Sequence, residues 1–189
     1  MYGLEEIVNT MFDVAQLDTE TMHLNLMREP VSAIIDGAVR NWAMPLEERN
    51  LTIKIEGIED LPPITADSKR LKQAFSHLIQ NAIKYTPDGG EIRIMGRMLE
   101  WTLPQDQAVE IIVADTGIGI DPSAYQAIFE TFNQNHAQVP SMIEGTGLGL
   151  SISAGIVEEH GGSLEFESEL GRGTAARIVL PLRSTGGNE

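Results

Sequence analysis

The stretch from Asp67 to Lys84 constrains this chain more than any other. Leu71, Ala74, Phe75, Leu78, Ile79 and Ala82 recur at helical spacing and make one apolar stripe. Gln73, His77, Gln80, Asn81 and Lys84 share the opposite face. A helix divided in this way buries one side against a core and holds amides and a cation together on the other. Asp67 stands where an N-cap belongs. Any fold for this chain must supply a layer that takes the stripe and must leave the polar face open to a ligand or to solvent.

Neighbouring segments offer that layer. Leu51, Ile53 and Ile55 alternate as a strand, Glu91 to Trp101 and Ala108 to Ala114 read as two more, and Ser163 to Ser168 with Thr174 to Leu182 as a final pair. Leu24 and Leu26 suggest a short strand ahead of Pro30, and Leu61-Pro62-Pro63 a loop. Helices are expected from Val31 to about Trp42, from Pro122 to Phe129, and after Gly149 as far as His160. Leu4, Ile7, Val8, Met11, Val14 and Ala15 mark one more helix, whose stripe needs cover either from the chain's own core or from a second copy. Strands and helices mix without strict β-α-β alternation, and hairpin-like pairs fall at Glu91 to Ala114 and Ser163 to Leu182. At 189 residues the expectation is one main core with a helical appendage, built as a layered α/β sandwich.

The formal net charge of -15 repels phosphate backbones and anionic lipid surfaces, which argues against nucleic acid as a partner. An anionic ligand must therefore be held by local positive potential. Zero cysteines remove disulfides, iron-sulfur clusters, thiol catalysis and the usual structural zinc sites, and the four histidines are too scattered for metal-ligand spacing. The longest apolar runs, such as Ala108 to Ala114, fall far short of the roughly 20 residues of a bilayer span. The expected location is cytoplasmic, with any membrane anchor of a full-length protein upstream of this segment.

Two glycine-rich stretches suit such an anion: DTGIGI at Asp115 to Ile120, directly after an apolar strand, and GTGLGL at Gly145 to Leu150, directly before a helix. Glycine lets backbone approach a ligand closely, and amides at a helix N-terminus attract phosphate through their partial positive charge. A Walker P-loop is excluded because Gly-Lys occurs nowhere, and G-x-G-x-x-G fails because Pro122 and Leu150 stand at the third position. Neither His-Arg-Asp nor Asp-Phe-Gly occurs, so the eukaryotic protein-kinase set is absent as well. Asp115, at the end of IIVAD, reads either as an acceptor for an amino group such as that of adenine or as an ordinary cap or turn former.

Taken in order over residues 24 to 182, these elements resemble the histidine kinase catalytic domain of the GHKL ATP-binding superfamily. ADSKRLKQAFSHLIQNAIKYTPDGG resembles its N box, DTGIGI its G1 box, IFETF at Ile128 to Phe132 its F box, GTGLGLSIS its G2 box, and LGRGTAARIVLPL its closing glycine turn and strand. The resemblance implies a Bergerat-type two-layer α/β sandwich, a mixed sheet with helices on one face, preceded by an N-terminal stalk helix. Residues 1–22 would then be the end of the dimerisation stalk and a linker, 23–184 the ATP-binding domain and 185–189 a disordered tail. ATP would lie between the N-box helix and a lid spanning about Asn133 to Gly149.

By position within that family, Asn81 supplies an amide oxygen to Mg²⁺, Lys84 reaches a phosphate and Tyr85 packs near the nucleoside. Asp115 recognises the adenine amino group, while Gly117, Gly119 and Ile120 bring their loop against the nucleotide. Gly145, Thr146, Gly147, Leu148 and Gly149 line the phosphates, and Phe132, with Phe129, anchors one end of the lid. Two departures stand out. His77 occupies the position where these kinases carry asparagine and related ATPases a glutamate base; it reads as a water-mediated metal contact, as a base, or as a solvated histidine. The lid between Phe132 and Gly145 contains no lysine or arginine, and only His136 there can carry positive charge.

The activity implied is that of the ATP-binding catalytic domain of a two-component sensor kinase, which donates the γ-phosphate to a stalk histidine. His23, His77, His136 and His160 are followed by leucine, leucine, alanine and glycine rather than by an acidic residue, so the acceptor is expected on a stalk helix outside this chain. The full-length kinase would dimerise through that stalk and pass phosphate to a response regulator. The competing readings are a non-catalytic, nucleotide-gated interaction module, and an ATPase or serine kinase on the same scaffold, which the missing glutamate disfavours.

Overall fold

In the computed structural model, which describes residues 24–99, 107–121 and 148–183, the alternating segments become strands and the striped ones helices. The order is β1 (Met27–Glu29), α1 (Val31–Arg40), α2 (Ala43–Glu48), β2 (Thr52–Glu56), β3 (Ile64–Ala66), α3 (Ser68–Tyr85), β4 (Glu91–Leu99), β5 (Ala108–Asp115), α4 (Leu148–Glu159), β6 (Ser163–Glu169) and β7 (Gly173–Pro181). Five strands form one sheet in the order β2-β4-β5-β7-β6. It is mixed: β2 runs parallel to β4, and every other neighbouring pair is antiparallel. β1 and β3 pair antiparallel as a separate ribbon. The α/β class and both expected hairpin pairs are present. The stalk helix, the helix at Pro122 to Phe129, the lid up to residue 147 and the C-terminal tail lie outside the described residues.

Period-two burial decides which face of the sheet meets the helices. Ile92 and Ile94 of β4, Val109, Ile111 and Val113 of β5, and Ala176, Ile178 and Leu180 of β7 are all buried. Register puts them in rows, with Val113 opposite both Ile94 and Ala176, and Ile111 opposite Ile178. Against this face pack Val31, Ile34, Ile35 and Ala38 of α1, the six stripe residues of α3 together with Ile83, and Ile152, Ala154, Ile156 and Val157 of α4, as one continuous core. Charged residues stand among those that alternate with these, at Arg93, Arg97, Glu110 and Arg177. Arg97 and Arg177 both donate to the carboxylate of Glu110, and Arg177 reaches Glu165 at 3.0 Å. The bond from Arg97 holds the Glu110 carboxyl below its ordinary value against the opposing effect of burial, and Arg177 adds to the same direction.

Two boundaries differ from the sequence reading. The first strand begins at Met27 rather than around Leu24, because its extent is set by pairing with β3, Met27 opposite Ala66 and Glu29 opposite Ile64. The helix expected to reach Trp42 ends at Arg40, and α2 restarts at Ala43; Trp42 between them turns its indole Nε1–H to Ser76 Oγ at 2.9 Å. α4 starts at Leu148, within a residue of the expected start near Gly149, and takes Leu148 and Gly149 of the glycine stretch into its first turn.

α4 and α3 are tied at their far ends by His160, which is 2% exposed. Its Nε2 accepts the Asp67 backbone N–H at 2.9 Å, and its Nδ1 lies 2.7 Å from Ile156 O. An acceptor Nε2 and a donor Nδ1–H require a neutral ring. Burial depresses the pKa below the ordinary 6.5, and Ile156 O, Asp67 and Glu159 oppose that only in part. With the folded value depressed, this site costs nothing above pH 6.5, and stability falls as the pH drops from there towards the native value, because only the unfolded chain takes up the proton. Urea unfolding from pH 8 to 5 should therefore show the wild type losing up to about 1.4 kcal/mol per pH unit more than His160→Gln within that window. Parallel pH profiles for the two proteins would refute this.

Candidate nucleotide site

The helix that carries His77, Asn81, Lys84 and Tyr85 is fixed at its start by its own cap. Asp67 Oδ1 accepts the backbone N–H groups of Lys69 and Arg70 at 3.1 Å each, and Oδ2 accepts that of Asn25 at 3.0 Å. From there α3 runs to Tyr85 and presents His77 and Asn81 half-buried, and Lys84 and Tyr85 exposed. The Lys84 ammonium sits 5.1 Å from the centroid of the Tyr85 ring, within cation–π range. α4 lies alongside: Ser153 Oγ, wholly buried, donates to Gly149 O at 2.8 Å and lies 3.2 Å from Ala74 O on α3. This brings the first turn of α4 to His77, where a Cβ on Gly149 would stand 3.5 Å from the imidazole Cγ.

DTGIGI closes the site from the sheet. Asp115 ends β5, and its Oδ1 accepts the Gly117 N–H at 2.8 Å and the Thr174 N–H at 3.2 Å. Both amides use the same oxygen, and neither occupies Oδ2. Burial pushes this carboxyl above its ordinary value, with the two amides pulling the other way. Gly117 is needed for closeness: a Cβ there would lie 2.6 Å from both Asp115 Oδ1 and Tyr85 O. Ile118 N–H donates to Tyr85 O at 3.1 Å, which joins the loop to the last turn of α3. Gly119 is needed for conformation and space together, with φ at +67° and a virtual Cβ 2.1 Å from Glu169 O. Ile120 N–H ends on Ser168 Oγ at 2.9 Å.

The fold thus gathers His77, Asn81, Lys84 and Tyr85 on one helix, Asp115, Gly117, Gly119 and Ile120 on the loop beside its end, and Leu148 and Gly149 in the first turn of α4. Phe132, Gly145, Thr146 and Gly147 lie outside the described residues. Sequence reasoning missed Thr174, whose amide completes the hold on Asp115, and Gly173, whose φ of +100° and absent side chain let β7 pass it; a Cβ there would fall 2.0 Å from Asp115 O. The signal was the Gly-Arg-Gly-Thr run, but nothing local says that this turn meets Asp115. Among the described residues no group of three or more His, Cys, Asp or Glu is placed to cage a metal. Asn81, half-buried on α3, carries an amide oxygen, the kind of hard donor Mg²⁺ takes beside phosphate and water.

Residues 66–184 match the family model for the histidine kinase-, DNA gyrase B-, and HSP90-like ATPases. The chain belongs to this family. The match spans α3, the DTGIGI loop, α4 and β7, which are all the elements that build the site. Sensor protein SrrB of Staphylococcus aureus strain MRSA252 is 34% identical over 179 residues, covering 94% of this chain and 29% of the relative, so this chain spans under a third of that protein's length. Among solved structures, full-length ShkA in complex with AMPPNP superposes with a TM-score of 0.75 at 27% identity, covering 93% of this chain and 35% of that one. The nucleotide-free catalytic domain of histidine kinase ThkA gives 0.66 at 26% identity, covering 88% of this chain and 100% of that one. This ATPase-family domain is therefore homologous to the ATP-binding catalytic domains of sensor histidine kinases. No described helix is long and apolar enough to cross a membrane.

Proposed function

We propose that this domain binds Mg-ATP and transfers the γ-phosphate to a histidine on a stalk helix, as the catalytic part of a two-component sensor kinase. The observation that carries the reading is Asp115: a partly buried carboxylate whose Oδ1 is pinned by two backbone amides and whose Oδ2 is left to accept the amino group of adenine. Gly117, Gly119 and Ile120 bring the loop under the base, with Tyr85 beside the nucleoside. Lys84 would neutralise phosphate charge, and Gly145, Thr146, Gly147, Leu148 and Gly149 would line the phosphates, where amides at a helix start favour an anion. Phe132 supports the lid.

Asn81 would hold Mg²⁺ through its amide oxygen; when bound, the ion offsets charge on the β- and γ-phosphates. His77 sits against Gly149, which favours a role in seating the first turn of α4 over one as a base. In the transfer the γ-phosphorus leaves its bridging oxygen on ADP and bonds to an imidazole nitrogen of the stalk. The chain's own contribution is to position the phosphoryl group and screen its charge. The homodimeric stalk, the response regulator that receives the phosphate, the cytoplasmic location and the extent of the domain, 23–184, belong to the same proposal.

The test is incubation with γ-labelled Mg-ATP, with and without a separately purified stalk polypeptide bearing the acceptor histidine. Acid-labile label is expected on the stalk and none on this chain alone. Label on one of its own histidines would overturn the assignment of the acceptor. Binding without transfer would leave the interaction-module reading, and steady release of inorganic phosphate would favour an ATPase.

A further inference from the structure

α3 ends where the site begins, and its last carbonyls have no partners within the helix. One side chain from a distant loop takes one of them together with the carbonyl of Thr86, the residue that caps the helix. Arg49, between α2 and β2, donates from Nη1 to Ile83 O and from Nη2 to Thr86 O at 2.8 Å, while its Nε meets Asp88 Oδ1, also at 2.8 Å. Its own carbonyl accepts the Gly89 N–H at 3.0 Å, so the turn leading into β4 is held from both sides. The side chain is 33% exposed against 71% for Asp88, which places the carbonyl bonds on the sheltered side and the ion pair outside.

Between the two gripped carbonyls lie Lys84 and Tyr85. Tyr85 O is the acceptor for the Ile118 N–H, and it bounds the space that excludes a side chain from Gly117. A shift of this turn therefore moves the ammonium of Lys84 and the anchor of the DTGIGI loop together. The positive charge also sits favourably at the negative end of the helix dipole. Only a planar guanidinium spans two carbonyls three residues apart; an ammonium is a point charge that satisfies one of them well.

We infer that Arg49 is a positioning residue for the nucleotide site, which it sets through the last turn of α3 without touching the nucleotide. The inference rests on the nucleotide reading above. Its test compares wild type, Arg49→Gln, Arg49→Lys and Asp88→Asn by amide hydrogen exchange without nucleotide and by calorimetric titration with Mg-AMPPNP. In Arg49→Gln the Ile118 amide should exchange about tenfold faster, as expected for the loss of one or two hydrogen bonds, while Ile94 and Ile111 in the central strands keep their protection. Affinity should fall by a similar factor, about tenfold, Arg49→Lys should restore part of both, and Asp88→Asn should stay within about twofold of wild type.

Unchanged Ile118 exchange in Arg49→Gln, or exchange that rises equally at Ile94 and Ile111, overturns the inference by reducing Arg49 to general stability. Normal affinity in Arg49→Gln beside a wild type that binds overturns it alone. A wild type that does not bind overturns the nucleotide reading and the assignment with it, and the Ile118 exchange then reports only on the loop.

Discussion

Asp115→Asn should weaken Mg-AMPPNP binding by about two orders of magnitude, the combined effect of a lost charge-assisted bond and a buried donor left facing a donor. The amide oxygen of asparagine can still accept from Gly117 and Thr174, which both use one oxygen of the native carboxylate. The group replacing Oδ2 is then an NH₂, pointed where the amino group of adenine is proposed to donate. Folding should not suffer. Burial raises the native pKa of Asp115 above 3.8, so the stability this carboxyl lends is fully present below 3.8 and is lost as pH rises through the native value. At neutral pH the wild type therefore carries a desolvated charge that the variant lacks, and the thermal midpoint of Asp115→Asn should equal or exceed that of wild type. Calorimetric titration beside a thermal melt at pH 7 reads both quantities. Full affinity in the variant would remove Asp115 from the site, and a lowered midpoint would mean that its ionised form supports the fold.

The second large effect is on the fold. Gly173→Ala should cost more than about 3 kcal/mol, because a backbone collision is added to an unfavourable φ. Its new Cβ would stand 2.0 Å from Asp115 O, 2.9 Å from Asp115 C and 3.0 Å from Gly117 N, all of them backbone atoms of the site loop. None can retreat without disturbing the register in which Ala114 faces Ala175. Gly171→Ala is the matched control. Its φ is +79°, yet nothing lies within 4 Å of the added atom. That variant should lose only about 1 to 2 kcal/mol, the cost of a left-handed backbone alone. Urea unfolding at 25 °C separates the two, and equal losses would show that crowding at Asp115 does not fix this turn.

Features carried by short-range periodicity were legible in the sequence. The stripe of α3 is buried residue for residue, Asp67 caps as expected, and both hairpin pairs form, because each depends on the chemistry of adjacent residues. The β1–β3 ribbon was half missed, since three-residue strands hold too little alternation to declare themselves, and their pairing joins Met27 to Ala66. The start of α4 was legible to within a residue; the bond from Ser153 to Gly149 O belongs to a helical turn packed on α3. The two residues that complete Asp115 were invisible for a different reason. Thr174 lies 59 positions from it, and only the insertion of β7 beside β5 brings them together. Arg49 is likewise 34 positions from Ile83. His77 was legible as a departure from the family pattern, but spacing alone has no means of distinguishing a ligand from a packing surface.

The placement of β7 has a consequence for biosynthesis. The last of the described strands to leave a ribosome is an interior one, lying between β5 and β6. β2, β4 and β5 can associate as they emerge, but β6 pairs with β7 alone and must wait for it, and until then the apolar edge of β5 stays open. Asp115 gains its second amide at that same late moment, since Thr174 arrives on β7. If nucleotide binds at Asp115 as proposed, a half-made chain would lack the complete site, and ligand stabilisation would reach only domains whose synthesis has passed β7. The nascent protein must cross that interval on its own hydrophobic contacts.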